Sequence, residues 1–283
     1  MSIENRKPDW LKIKLQHDKL AVQVSKIVGK HRLHTICTSG NCPNKGECWD
    51  CGTATFMICG DICTRSCKFC NVKTGRPLPL DLKEPENIAN SIRLLNLKHV
   101  VLTSVDRDDL ADFGASHWAE VIKTVKEKNP DVTMEVLIPD FQGKKDLINL
   151  IINTNPEVIS HNLETVKRLS KSVRSRATYE MSIEVIRQIA LSGIIAKSGI
   201  MLGLGETRNE ILETMDDLLE AGCKVMTIGQ YLRPSKSNIE VVEYIHPEIF
   251  EEYHCIGIDK GFSHVESAPL VRSSYHAERH IQK

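Results

Sequence analysis

Six cysteines set the chemistry open to this chain. Cys63-Thr-Arg-Ser-Cys67-Lys-Phe-Cys70 spaces three thiols by three and then two residues, compact enough for one loop to present them all to one inorganic centre. Iron-sulfur clusters usually take four thiolates, so a three-thiolate loop leaves one iron with an open position where a substrate or cofactor can bind. A structural zinc site and chance clustering are the other readings; zinc usually shows paired C-x2-4-C units or a nearby histidine, and neither fits cleanly. Upstream, Cys37-Thr-Ser-Gly-Asn-Cys42-Pro-Asn-Lys-Gly-Glu-Cys48 gathers three more thiols in a tight, turn-rich stretch, dense enough to favour a second metal centre over chance.

These thiols need elements to aim them. Asp18 to Lys30 spaces apolar residues helically, and a helix there is expected to feed a loop-rich extension. Thr53-Ala-Thr-Phe-Met-Ile58 is a short β-rich run leading straight into the Cys63 loop, expected as the first strand of the main domain. Helices are then expected at Pro85 to Leu97, Ser116 to Lys128, Lys144 to Asn153, Leu163 to Ser170, Met181 to Leu191 and Arg208 to Glu220. Between them, strands are expected at His99 to Ser104, Val132 to Ile138, Val158 to His161, Ile194 to Leu202 and Val225 to Tyr231. Pro247 to Lys260 reads as a terminal helix before a short tail.

Repeated strand-helix units imply a parallel sheet with right-handed crossovers. About six such units fall short of the eight of a closed TIM barrel, so the expected fold is α/β, a partial (β/α)6 TIM-like barrel with its site at the carboxyl ends of the strands. The division that follows is an N-terminal extension carrying the upstream triplet (1–52), the barrel (53–260) and a C-terminal tail that closes the site (261–283).

A chain of 283 residues suits one main domain with short extensions, and 41% hydrophobic with 26% charged residues is an ordinary globular composition. Lys plus Arg and Asp plus Glu are both 37, so no whole-molecule field would draw nucleic acid or anionic lipid. No apolar run approaches the roughly 18 to 20 residues that span a bilayer, and Met1 to Trp10 has neither a secretory apolar region nor a transit composition. A cytoplasmic protein binding neither nucleic acid nor membrane is expected. Ten cysteines could suggest disulfides, but eight lie between Cys37 and Cys70 in a chain neither small nor evidently secreted, and metal binding is the better reading.

The spacing CxxxCxxC after a first strand resembles the signature of the radical S-adenosylmethionine superfamily. With the upstream triplet, the resemblance narrows to the lipoyl synthases. It continues through Val101-Leu-Thr-Ser-Val-Asp-Arg-Asp-Asp109, Ser160-His-Asn-Leu-Glu-Thr165, Lys197-Ser-Gly-Ile-Met-Leu-Gly-Leu-Gly-Glu-Thr207, Ile228-Gly-Gln-Tyr-Leu-Arg-Pro-Ser235 and Arg272-Ser-Ser-Tyr275, and so covers essentially the whole chain. It implies two 4Fe-4S clusters: one on Cys63, Cys67 and Cys70 that chelates S-adenosylmethionine at its open iron, and an auxiliary one on Cys37, Cys42 and Cys48 with Ser274 as fourth ligand. It further implies a 5′-deoxyadenosyl radical that removes hydrogen from carbons 6 and 8 of a protein-bound octanoyl chain, and an auxiliary cluster sacrificed as the sulfur source. Serine is a hard ligand among soft thiolates, which suits a labile cluster corner. The implied partners are octanoylated lipoyl domains of 2-oxoacid dehydrogenase complexes, the glycine cleavage H protein, and an electron donor such as ferredoxin or flavodoxin.

S-adenosylmethionine presents a carboxylate, an amine, a ribose diol and an adenine, so its site needs a cation, hydroxyl acceptors and close backbone approach. Arg176 resembles the family arginine near the carboxylate, against the alternative of a surface charge. Asn162 and Glu164 follow an expected strand, where polar side chains face the site. Gly203-Leu-Gly205-Glu206 follows another, its glycines offering either close ligand approach or a tight turn. Gln230 and Tyr231 hold the equivalent place after the last expected strand. Asp106-Arg-Asp-Asp109 fits closing the cofactor's amino end or bounding the cavity, and equally a capping or surface role. His161 and His276 show no ligand spacing, and Cys51, Cys59, Cys223 and Cys255 read as bystanders. The rivals are another radical enzyme, such as a biotin synthase or methylthiotransferase, whose second cluster has different ligands, and a two-cluster electron carrier.

Overall fold

The computed structural model describes residues 7–12, 33–39, 42, 44–50 and 53–281, without the side chains of 45, 46 and 50. The helix expected at Asp18 to Lys30, and Cys51, lie outside the described residues.

The extension contributes β1 (His34–Thr35), α1 (Ile36–Ser39) and α2 (Lys45–Asp50). The first barrel strand is β2 (Thr53–Ile58), followed by the short pair β3 (Ile62–Cys63) and β4 (Lys73–Thr74) around the cysteine loop. Then come α3 (Glu84–Leu94), β5 (His99–Ser104), α4 (Ala115–Lys128), β6 (Thr133–Leu137), α5 (Lys145–Ile152) and β7 (Val158–Ser160). The second half runs α6 (Lys167–Val173), α7 (Tyr179–Leu191), β8 (Ile195–Leu202), α8 (Arg208–Glu220), β9 (Val225–Gln230), α9 (Pro247–Lys260) and β10 (His264–Ser267), with a 3-10 turn at Ala277–Ile281.

The main sheet has the order β1-β2-β5-β6-β7-β8-β9-β10, parallel throughout except for the antiparallel β1. The six expected strands are adjacent in chain order, as right-handed strand-helix units require. A seventh parallel strand, β10, extends the sheet, pairing His264 to Ser267 with Val225 to Ile228. Four residues of mixed polarity gave it no period to read. Among the described residues the sheet does not close, since β10 bonds only to β9 and β1 only to β2.

Helix boundaries follow local chemistry. Thr207 and Glu210 form a reciprocal capping box at the start of α8, Thr178 caps α7, and prolines stand in the first turn of α3 and α9 where no amide proton is needed. The helix expected from Leu163 begins four residues later, because Glu164 adopts a positive φ of 70° and bridges Ile200 of β8 instead. The outer sheet face presents Phe56, Leu102, Val136 and Met226 to helix residues such as Ile92, Trp118, Ile189 and Met215, all essentially without exposure. Each such aliphatic burial contributes roughly 1.5–3 kcal/mol, enough together to fix the barrel around its interior.

Candidate functional site

Strand β2 delivers the chain to the Cys63 loop, and a buried arginine anchors it. Cys63 Sγ accepts from the backbone N–H of Arg65 at 3.4 Å and of Asp106 at 3.3 Å. Arg65 forks onto two carboxylates, donating to Asp108 at 2.8 and 2.9 Å and to Asp140 at 2.7 and 2.8 Å, with Asp106 at 3.3 Å. Burial opposes ionisation of Asp140, yet the guanidinium holds its carboxyl below the usual range. Asp106 is instead pushed up to about 6 by burial, Arg65 only partly offsetting it. The Asp106-Arg-Asp-Asp109 run thus sews the cysteine loop to the ends of β5 and β6, and Asp106 also bounds the cavity.

The loop's other wall is held by backbone. Lys68 donates its N–H to Val173 O, its carbonyl accepts from Ile239 N–H, and Asn238 Nδ2 donates to Lys68 O and Cys70 O. Here several expectations are corrected. Tyr231 does not line the cavity: it is buried and its hydroxyl donates to Ile239 O at 2.8 Å. Gln230 is likewise turned away, Nε2 donating to Leu202 O, Tyr231 O and Glu243 O while Oε1 accepts from Ile245 N–H. Gly203, at φ +101°, is glycine because a Cβ would stand 2.2 Å from Gln230 Nε2 and 2.4 Å from Glu243 O. Glu206 accepts from the amides of Gly203 and Leu204, and Gly205 sits beside Val242. This group forms a knot that pins residues 231–245, which in turn clamp the cysteine loop, and none of it faces the cavity.

The second triplet is brought to the tail. Asn44 Nδ2 donates to Leu270 O at 2.7 Å and Tyr275 OH donates to Glu47 Oε1 at 3.0 Å, so the Cys42 to Cys48 segment grips the tail on both sides of Ser274. Gly229 of β9 permits the passage, since a Cβ there would lie 2.2 Å from Val271 O. Arg272 donates to Gln230 O and Val271 O, and among the described residues no carboxylate pairs with it.

Inside the barrel a cavity of about 370 Å³ is lined by Cys37, Cys42, Cys63, Cys67, Cys70 and Ser274. Cys48, half-buried, packs against the neighbouring core. Thiols from both triplets, two from the upstream one and three from the Cys63 loop, therefore open onto one space. Burial pushes the Cys63 thiol up to about 12 and Cys70 up to about 11, and raises Cys37 and Cys42. Thiols so reluctant to ionise act as ligands when a metal displaces the proton. The donor set fits two iron-sulfur clusters: three thiols per loop, an Arg272 guanidinium near Cys42 with no carboxylate partner among the described residues, and Ser274 on the wall. Among the described residues, His264, Glu266 and His280 offer ligand atoms within 4.8 Å of one another elsewhere in the fold.

The residues proposed for S-adenosylmethionine separate. Asn162 and Glu164 line the cavity; Asn162 Oδ1 is a buried acceptor without a partner, and burial raises Glu164. Arg176 is corrected: its side chain is 60% exposed, ion-pairs with Asp108 at 3.2 Å and stands outside the cavity. Arg174, missed in the sequence, lines the cavity instead and donates to Ser182 Oγ at 2.7 Å. Also missed was Gly199 on the inner face of β8, where a Cβ would fall 2.2 Å from Thr227 Oγ1. His161 stands on the cavity wall with both ring nitrogens engaged, by Ile138 O and Ser182 Oγ.

The radical SAM superfamily matches residues 57–218. A lipoyl synthase of Treponema denticola is 70% identical over 281 residues, covering 99% of this chain and 97% of its own length. One of Parabacteroides distasonis is 64% identical, with 98% of each chain covered. Among solved structures, methylornithine synthase superposes with a TM-score of 0.55 at 12% identity, over 89% of this chain and 79% of its own. Escherichia coli coproporphyrinogen III oxidase, a radical SAM enzyme, gives 0.54 at 12% identity, over 74% and 53%. At these identities the structures speak for the fold alone.

Proposed function

The chain belongs to the lipoyl synthase family of the radical SAM superfamily, and on that premise we propose how its residues share the insertion of sulfur at carbons 6 and 8 of an octanoyl chain on a carrier protein. The two clusters and S-adenosylmethionine, when bound, supply the hydrogen-abstracting radical and the sulfur. Cys63, Cys67 and Cys70 hold the first cluster, and Cys37, Cys42, Cys48 and Ser274 the second. Asn162, Glu164 and Arg174 orient the cofactor, the arginine offering the cation its carboxylate needs. Apolar Val101, Leu137 and Met201 exclude water around the acyl chain, so that the radical meets carbon rather than solvent.

The observation that carries this reading is the shared cavity: a radical generator and a sulfur source must face the same carbon, and Cys37 and Cys42 of one triplet line the same volume as all three thiols of the other. An electron carrier needs no such enclosed space. Lipoyl-domain proteins are the substrates; octanoylated domains of 2-oxoacid dehydrogenase complexes or the glycine cleavage H protein, reduced-cluster supply by ferredoxin or flavodoxin, and a cytoplasmic setting complete the proposal. No disulfide joins any of the nine described cysteines, as a reducing compartment would maintain, and no helix among the described residues is long and apolar enough to cross a membrane. The extension, barrel and tail divide the labour as second-cluster loop, radical chamber and closing segment.

The test is anaerobic reconstitution with iron and sulfide, then S-adenosylmethionine, dithionite and an octanoylated lipoyl-domain peptide, with mass spectrometry of both products. Two sulfurs gained with 5′-deoxyadenosine formed is the expected result. Cleavage without sulfur gain would keep the superfamily and reject the substrate.

A further inference from the structure

We propose that Lys197, seated in the barrel interior by Glu135, is a positioning residue that together with Asn162 sets the direction of Ser274. The proposal rests on the reading of Ser274 as a ligand of the second cluster.

Lys197 and Glu135 are both 0% exposed, on adjacent parts of the sheet interior, with Nζ at 2.7 and 2.8 Å from the two carboxylate oxygens. An ammonium has three protons to place. Here they go to Glu135, to Ser273 O at 2.5 Å and to His280 Nδ1 at 3.1 Å, so two of the three partners belong to the tail. Ser160 Oγ donates to Glu135 at 3.0 Å, completing the carboxylate's support. A buried ion pair adds little stability over apolar side chains of the same size, so what this one contributes is geometry.

The tail has need of it. Residues 271–276 belong to no strand or helix, and no ladder fixes which way each side chain points. Ser273 is held at both of its polar groups, its carbonyl by Lys197 and its hydroxyl by Asn162 Nδ2 at 2.6 Å. With Ser273 turned into the barrel interior and Tyr275 tied to Glu47, the residue between them is left facing the cavity that Cys37 and Cys42 also line. The sequence offered no hint of this, since Lys197 sits inside a strand and is separated from Ser273 by 76 positions.

The experiment replaces both charges, Lys197→Met with Glu135→Leu, so that no buried charge is left unpaired, and compares it with Ser274→Ala. Mössbauer spectra of the reconstituted proteins read each cluster without substrate. The double variant is expected to keep the wild-type unfolding midpoint and the first cluster, to cleave S-adenosylmethionine, and to show the same altered second-cluster signal as Ser274→Ala. Sulfur gained per cofactor cleaved should fall about 10- to 100-fold, the usual cost of losing a group that orients a metal ligand. An unchanged second-cluster signal in the double variant, or loss of both clusters together, would overturn the proposal. So would a Ser274→Ala protein whose second cluster is unaltered. A wild-type protein that loads both clusters but adds no sulfur would refute the catalytic reading instead, and the spectra would still decide the positioning role.

Discussion

Arg65 ties three carboxylates to the loop that carries the first triplet, and a single substitution there should undo it. Arg65→Met leaves Asp140 as an unpaired buried carboxylate and Asp108 with only its pair to Arg176, a loss of about 3–5 kcal/mol that chemical denaturation would read. Arg65→Lys is expected to recover little, since a point charge cannot fork onto two carboxylates. Two histidines set the acid side of stability. Burial pushes His161 and His280 down to about 4, against about 6.5 in an unfolded chain. Between these values the unfolded chain binds protons that the folded one refuses, so stability falls as pH drops through that window, by up to about 1.4 kcal/mol per unit for each histidine. Urea midpoints from pH 7.5 to 5 should show the slope, and His280→Gln should reduce it. At this scale the cysteines were legible because their spacing is itself the chemistry. Arg174 was not, because Arg174 and Arg176 flank one turn and only packing decides that the first points inward and the second pairs with Asp108.

Elements were legible where a period ran long enough. The central strands and α8 are found at or within a residue or two of where apolar alternation and caps predict them. β10 escaped because four residues carry no period, and the Gly203 to Glu206 turn was misassigned because a glycine needed for a ligand and one needed for a neighbouring chain look alike in sequence. The structure makes the difference testable. Gly203→Ala should strain a positive φ and crowd Gln230, costing about 1–3 kcal/mol, and should loosen the first cluster through residues 231–245 without altering any cavity-lining group. Tyr231→Phe removes one hydrogen bond to Ile239 and should cost about 1 kcal/mol, leaving the apparent affinity for S-adenosylmethionine close to wild type. Equilibrium unfolding and cofactor titration distinguish these from a direct contact, which would show chiefly as weakened cofactor binding.

The whole molecule is an open sheet made into a chamber by its own tail. Thr53 at the start of β2 bonds to Glu278, while Leu270 and Tyr275 are gripped by the Cys42 to Cys48 segment, so residues 268–281 bridge the gap between the two sheet edges. Truncation after Leu270 should therefore spare the first cluster and abolish the second, reading as one cluster's iron where the full chain holds two. The same seam governs how the protein comes into being. Glu47 and Tyr275 stand 228 positions apart, and every barrel strand lies in the loop their contact closes. Closing so long a loop comes late in folding. Synthesis makes the first half of the sulfur site before any barrel strand exists and the second half after all of them, so the halves meet only across a correctly stacked sheet. A molecule with one strand out of register could generate a radical yet would have nothing to insert: the sulfur centre is an inspection that the scaffold must pass.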